Sequence, residues 1–290
     1  MEIKVVGCGS SGSFKLYNNS FLLTEGNSVM LIDCGTRIPI ALHDHGINIK
    51  SITDIYISHA HSDHCGGLEE IAFGRYDFLN KPRHYSDGSY APRLIANEKL
   101  MEDLWEHTLS GGMKSTEGFD AQLSTFFQPV PIKANMPFTW EGWTCSLIQQ
   151  IHVVTGSIIM NSFGLLMEKK GHKTVYFTTD TQFFQPEQVA LFYKKADIIF
   201  QDCELIGVDV PSKTMRFKSN VHANYAQLAG WEGINAYRLD ADTKQKLHLG
   251  HYQDYKGGNF DHFGNYVNWD ELAKEDGFAG FISVGQTFEV

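Results

Sequence analysis

The run His59-Ala60-His61-Ser62-Asp63-His64 constrains this chain more than any other stretch. Three imidazoles and a carboxylate within six residues must project into one small volume, and a loop leaving the end of a strand permits that. The residues before it, Ile55-Tyr56-Ile57-Ser58, have the apolar, β-prone character of such a strand. After it, Gly66-Gly67 let the backbone turn tightly, and a helix is expected over Gly66 to Phe73. Neutral ring nitrogen mixed with carboxylate oxygen suits zinc and the neighbouring transition metals. A histidine-rich surface loop would require neither the strand nor the glycines.

The pattern along the chain is one of short apolar runs bounded by Gly, Asn and Asp. Strands are expected at Ile3 to Val6, Ser20 to Thr24, Ser28 to Ile32 and Asp54 to Ile57. Further strands are expected at Thr144 to Ile151, Phe163 to Glu168, Thr174 to Thr178, Asp197 to Phe200 and Lys246 to Leu249, with Phe281 to Ser283 and Thr287 to Val290 as a closing pair. Helical patterns lie near Asn97 to His107, Gln185 to Lys194 and Ala223 to Trp231. Strands and helices mix in both halves, as in an α/β protein with two sheets and outer helices. The chain has 290 residues, 42% of them of hydrophobic types, enough for one large core. No linker, charge block or repeat divides it, so residues 1–290 read as a single domain. Residues 74–140 read as a variable insertion over the face that carries the histidine run, with aromatics at Tyr76, Phe78, Tyr85 and Tyr90.

Other features narrow the setting. No run of about 18 apolar residues suggests a membrane span. The start, Met1-Glu2-Ile3-Lys4-Val5-Val6, lacks the basic and long apolar regions of a signal peptide. Five scattered cysteines (Cys8, Cys34, Cys65, Cys145, Cys203) without a C-x-x-C pair fit a reduced, cytoplasmic compartment. With 24 Lys+Arg against 34 Asp+Glu, the formal charge is −10, which disfavours gripping a long polyanion but allows a small phosphorylated ligand.

The histidine run resembles the signature of the metallo-β-lactamase superfamily, whose fold is a four-layer αββα sandwich. Gly7-Cys8-Gly9-Ser10, then Asn18-Asn19-Ser20-Phe21-Leu22-Leu23 and Leu31-Ile32-Asp33-Cys34-Gly35, are similar to the opening of its ribonuclease Z-like and cyclic-nucleotide phosphodiesterase branch. The resemblance covers most of the chain and implies two divalent ions, zinc first and manganese as the alternative. It implies three further ligands. His152, at the end of the strand Thr144 to Ile151, is the candidate for the metal shared with His59 and His61. Asp180, closing Val175-Tyr176-Phe177-Thr178-Thr179, is the candidate bridge. Leu247-His248-Leu249-Gly250-His251 offers two choices for the last ligand, and alternation favours His251, just past the strand end, beside Asp63 and His64. A metal pair about 3.5–4 Å apart can polarise a phosphoryl group and activate water. Asp63 then counts among the catalytic residues as well as the ligands. Asp33 either orients a ligand histidine or is a plain turn carboxylate.

Val221-His222-Ala223-Asn224-Tyr225-Ala226 resembles the proton-donor segment of the ribonuclease Z-like enzymes, so His222 would assist the leaving oxygen, unless it is an ordinary histidine at a helix start. Cys65 reads as a packing residue, and Asp202 and Glu204 at most as supporting groups. His43 and His45 flank Asp44 at an expected helix end stopped by Gly46 and read as structural or solvated, while His84, His107, His172 and His262 have no convergent partners in sequence. The likeness is greatest to the phage anti-Pycsar phosphodiesterases. It implies hydrolysis of a 3′,5′-cyclic nucleotide to a linear monophosphate, by a homodimer, with no membrane partner. Transfer-RNA 3′ processing is the alternative. Only 28 residues separate His152 from Asp180, too few for the RNA-gripping arm of those enzymes.

Overall fold

The computed structural model describes residues 1–76, 91–116, 119–133, 135–182, 189–231 and 239–290. They form two compact units, one of residues 1–7, 17–141 and 284–289, the other of residues 8–16, 142–283 and 290.

The first unit is built on a seven-stranded sheet. Its order is Thr287–Glu289, Glu2–Gly7, Ser20–Glu25, Ser28–Ile32, Asp54–Tyr56, Arg93–Asn97 and Gln128–Ile132. Pairing is antiparallel up to Ser28–Ile32 and parallel from there on. The parallel strands are apolar on both faces, as a sheet covered on both sides requires, with Met30, Leu31, Ile55, Leu94 and Ile95 fully buried. Two of its strands fall inside the span expected to be an insertion, at Arg93–Asn97 and Gln128–Ile132. The second hid in sequence because Pro129 and Pro131 occupy it. An edge strand tolerates proline because one set of its N–H groups has no strand to meet. Helix Ile38–Asp44 starts with proline in its first turn, and Gly46, at φ 67°, lies just beyond its end.

The second unit repeats the plan. Six strands of its main sheet run in the order Gly280–Phe281, Leu247–Gly250, Ile198–Asp202, Val175–Phe177, Ile158–Glu168, Trp143–Thr155, and Val208–Asp209 pairs apart with Thr214–Met215. The long hairpin and its neighbour Val175–Phe177 are antiparallel, and the remaining pairs are parallel. The anticipated closing pair does not form. Gly280–Phe281 pairs with Leu247–Gly250, whereas Thr287–Glu289 pairs with Glu2–Gly7. Helix Tyr225–Ala229 is capped by the Asn224 side chain and stopped by Gly230 at φ 77°. Of the helix expected over Gln185 to Lys194, the described part, Val189–Tyr193, is π-helical.

The carboxyl ends of parallel strands are where such sheets place ligand sites. Asp33 follows Ser28–Ile32 and the histidine run follows Asp54–Tyr56, its parallel neighbour. Asp180, Asp202 and His251 follow or end three adjacent parallel strands of the second sheet.

Candidate metal centre

In the first unit Asp33 organises the histidine run. It is buried and sits at φ 58°, a left-handed conformation that Asp tolerates better than most residues. The Ser58 N–H donates to Asp33 Oδ1 at 2.8 Å, and the Ser58 hydroxyl donates to Oδ2 at 2.8 Å. His64 Nδ1 lies 2.8 Å from the same Oδ2, so it carries a proton and leaves Nε2 with a lone pair. Ser58 Oγ is also 3.0 Å from His59 Nδ1. With its hydrogen given to Asp33, that oxygen accepts from His59 and again leaves Nε2 bare. His59 Nε2 then lies 3.1 Å from His61 Nδ1, and His64 Nε2 lies 3.4 Å from Asp63 Oδ2.

The structure corrects the reason for the flanking glycines. The helix expected over Gly66 to Phe73 is two pieces, Ser62–Cys65 and Leu68–Arg75, with Gly66 at φ −67° and Gly67 at φ −86°. Those angles suit any residue. What excludes a side chain is close approach: a Cβ on Gly67 would sit 2.4 Å from the Gly35 carbonyl oxygen, and one on Gly35 would sit 2.0 Å from the Asp63 carbonyl oxygen. Gly35 and Gly67 thus let two loops pack backbone against backbone under Asp63.

In the second unit Asp180 stands between two imidazoles. His152 Nε2 is 3.4 Å from Asp180 Oδ2 and His251 Nε2 is 3.4 Å from Oδ1. Rather than ending its strand, His152 is the extra residue of a β-bulge between Ile151 and Val153, the device that re-aims a side chain. Its Nδ1 donates to the Val221 carbonyl at 2.8 Å, which fixes Nε2 as the acceptor. His251 has φ 60°, just past Leu247–Gly250. His248 lies within that strand against Phe200, at 5.8 Å between rings, and burial pushes its pKa down to about 4. Of the two candidates, His251 is therefore the one that faces Asp180.

Asp202 is the residue that sequence reasoning undervalued. It is buried, accepts from the Thr181 N–H at 2.8 Å, and lies 3.0 Å from His222 Nδ1 and 3.4 Å from His251 Nδ1. Burial alone would raise its pKa, but His222 and His251 outweigh that and lower it. For His222 burial works toward a lower pKa, and the carboxylates of Asp202 and Asp180 override it to raise the value. Asp180, Asp202, His222 and His251 bring ligand-type atoms within 4.8 Å of one another.

Several other residues are placed elsewhere. Cys65 donates to the Ala60 carbonyl and burial pushes its thiol up to about 12, so it packs as a neutral group. Tyr76 is buried on Phe126, at 5.3 Å between rings, while Phe78, Tyr85, Tyr90 and His84 lie outside the described residues. His172 packs on Trp143 and His262 on Phe217.

The donor set fits divalent metal. Four pairs of ligand-type atoms stand 3.1–3.4 Å apart. Two ligands on a tetrahedral ion with bonds of about 2.0–2.1 Å are themselves about 3.3 Å apart. The other ring nitrogens of His64, His59 and His152 meet Asp33, Ser58 and the Val221 carbonyl, the arrangement metal-binding histidines adopt.

Known proteins resemble this chain in sequence and in fold. Residues 1–288 match the family model described as Anti-Pycsar protein Apyc1. The chain is 31% identical over 260 residues to the Anti-Pycsar protein Apyc1 of Bacillus phage BSP38, covering 87% of this chain and 89% of that one. To the protein of the same name from Paenibacillus harenae it is 33% identical over 255 residues, 88% and 90% of the two chains. Among solved structures it resembles the metallo-β-lactamase-fold protein YhfI from Bacillus subtilis, with a TM-score of 0.63, 17% identity and coverage of 100% and 98%. It also resembles the short form of human tRNase Z, with a TM-score of 0.60, 15% identity and coverage of 100% and 99%. The fold is therefore the four-layer αββα metallo-β-lactamase fold. No helix among the described residues is long and apolar enough to cross a membrane.

Proposed function

The chain belongs to the Anti-Pycsar Apyc1 family, and from that premise we propose that it is a dinuclear metal-dependent phosphodiesterase that opens a 3′,5′-cyclic nucleotide to a linear monophosphate. Destroying such a molecule would remove a cyclic-nucleotide immune signal, as the family name suggests. His59, His61 and His152 would hold one ion, Asp63, His64 and His251 the other, with Asp180 shared. The nitrogen and carboxylate donors suit zinc, with manganese as the alternative. When bound, the ions supply charge stabilisation for the phosphoryl group and activation of water.

The observation that carries the reading is the pairing of His222 with Asp202 at 3.0 Å, beside Asp180 at 3.8 Å. Hydrolysis adds one water across a P–O bond, and the departing ribose oxygen must take a proton. His222 Nδ1 donates to Asp202, so its Nε2–H is the proton left to give, and the two carboxylates favour the protonated ring. Asp202 thus orients the donor and favours its charged form. The acidic balance of the chain, −10, suits a small anion better than a long RNA. A homodimeric state and a cytoplasmic site of action belong to the same proposal, and sedimentation of the purified protein tests the first.

The deciding experiment offers metal-loaded protein a panel of cyclic mononucleotides, cyclic dinucleotides and a precursor tRNA. Conversion of a cyclic nucleotide to its linear monophosphate is expected. Efficient cleavage of the precursor tRNA with every cyclic nucleotide untouched would overturn the proposal in favour of tRNA 3′ processing.

A further inference from the structure

We propose that Glu204 is a positioning residue for His222, a role that rests on reading His222 as the proton donor. Glu204 is fully buried, two residues beyond Asp202, and no ligand or reacting group requires a carboxylate there. Among the described residues, its hydrogen-bond partners lie on the segment that carries His222. The Ser219 N–H donates to Oε1 at 3.2 Å and the Ser219 hydroxyl to Oε2 at 2.5 Å. On the far side of His222, the Asn224 side-chain amide donates to Oε1 at 3.4 Å. The backbone of Glu204 adds two bonds: its N–H donates to the Ala223 carbonyl at 2.8 Å, and its carbonyl accepts from the Tyr225 N–H at 3.0 Å.

One residue therefore holds the segment on both sides of His222, at 219 and at 223–225. Two consequences follow for what lies between. The His222 ring is kept where Nδ1 meets Asp202, and the Val221 carbonyl is kept where it meets His152 Nδ1. The anchor extends further, because Asn224 also caps the helix Tyr225–Ala229 through its Oδ1. Burying a carboxylate costs stability unless several donors satisfy it, so an uncharged side chain would serve simple packing better. Three donors converging from one short loop point instead to precise placement of that loop.

The test is a double-mutant cycle on the metal-loaded protein, with a cyclic nucleotide as substrate and metal content measured for each variant. Glu204→Ala should lower kcat by roughly tenfold to a hundredfold, the scale of a misplacement of about 1 Å, with KM changed less than about twofold. Glu204→Gln keeps an acceptor oxygen and should recover most of that loss. In a His222→Ala background the same Glu204→Ala change should lower kcat several-fold less, and any loss left there should go with lowered metal content, through the Val221 carbonyl and His152. Equal losses in both backgrounds, or an undiminished kcat for Glu204→Ala while His222→Ala is impaired, would overturn the proposal. Full activity of His222→Ala would instead remove the proton-donor reading and the proposal with it. Should Glu204→Ala not fold, Ser219→Ala deletes only the hydroxyl donor and carries the same cycle, with a smaller loss that must again shrink beside His222→Ala.

Discussion

Replacing Asp33 by Asn separates tautomer control from every other role this residue could have. The backbone is at φ 58°, and Asn tolerates that conformation as well as Asp does, so no strain is introduced. The amide oxygen can still accept from the Ser58 N–H, replacing the 2.8 Å bond to Oδ1. The amide nitrogen, however, now stands where Oδ2 accepts from both Ser58 Oγ and His64 Nδ1. Two N–H donors cannot share that contact. Relief comes if His64 moves its proton to Nε2, the nitrogen 3.4 Å from Asp63 Oδ2, and the lone pair needed for a metal is then gone. A hydrogen bond to a charged group is worth about 1.5–3 kcal/mol, and loss of an outer carboxylate partner typically costs about 10–100-fold in metal affinity. The two estimates agree. Asp33→Asn should thus weaken binding of the ion that His64 is proposed to hold by about 10–100-fold, measured by chelator competition on the folded protein. Retention of both ions at unchanged affinity would refute the reasoning and leave Asp33 as a turn carboxylate.

The remaining predictions concern the ligands themselves. Asp180→Asn removes one of two carboxylate oxygens that face His152 and His251, so elemental analysis should show at least one ion lost and activity should nearly vanish. His251→Ala should lose an ion, whereas His248→Ala, whose ring packs against Phe200, should keep metal content and lose only stability, by a few kcal/mol at most. The opposite result would reverse the choice of last ligand. Stripping the metals with a chelator should lower the thermal midpoint, because several convergent carboxylates and imidazoles lose what holds them together. A midpoint unchanged by metal would argue against a loaded site.

Much of this arrangement was legible in the sequence because its signals are local. The histidine run directly follows its strand, and Asp180 and His251 each close an apolar run. What was not legible depends on neighbours far away in the chain. Asp202 ends an apolar strand as many unremarkable carboxylates do. It matters because Ile198–Asp202 is flanked by the strands that lead to Asp180 and His251. Ser58 looked like the last residue of a strand, and its relay to His59 exists only because Ser28–Ile32 lies parallel beside Asp54–Tyr56 and delivers Asp33. The bulge at His152 adds one residue without changing composition or period, so periodicity stopped the strand there while the hairpin runs on to Thr155.

A common logic links the two units. Each sheet turns from antiparallel to parallel pairing, and each gathers its functional groups at the carboxyl ends of the parallel strands. Each then uses a single buried aspartate to service two histidines, Asp33 for His64 directly and His59 through Ser58, Asp202 for His222 and His251. His152 is the exception, held by a main-chain carbonyl at Val221 that no side-chain substitution removes. That carbonyl is only as well placed as the loop bearing it. The buried Glu204, by holding residues 219 and 224, gives the backbone acceptor the same fixity that the two aspartates give through their side chains.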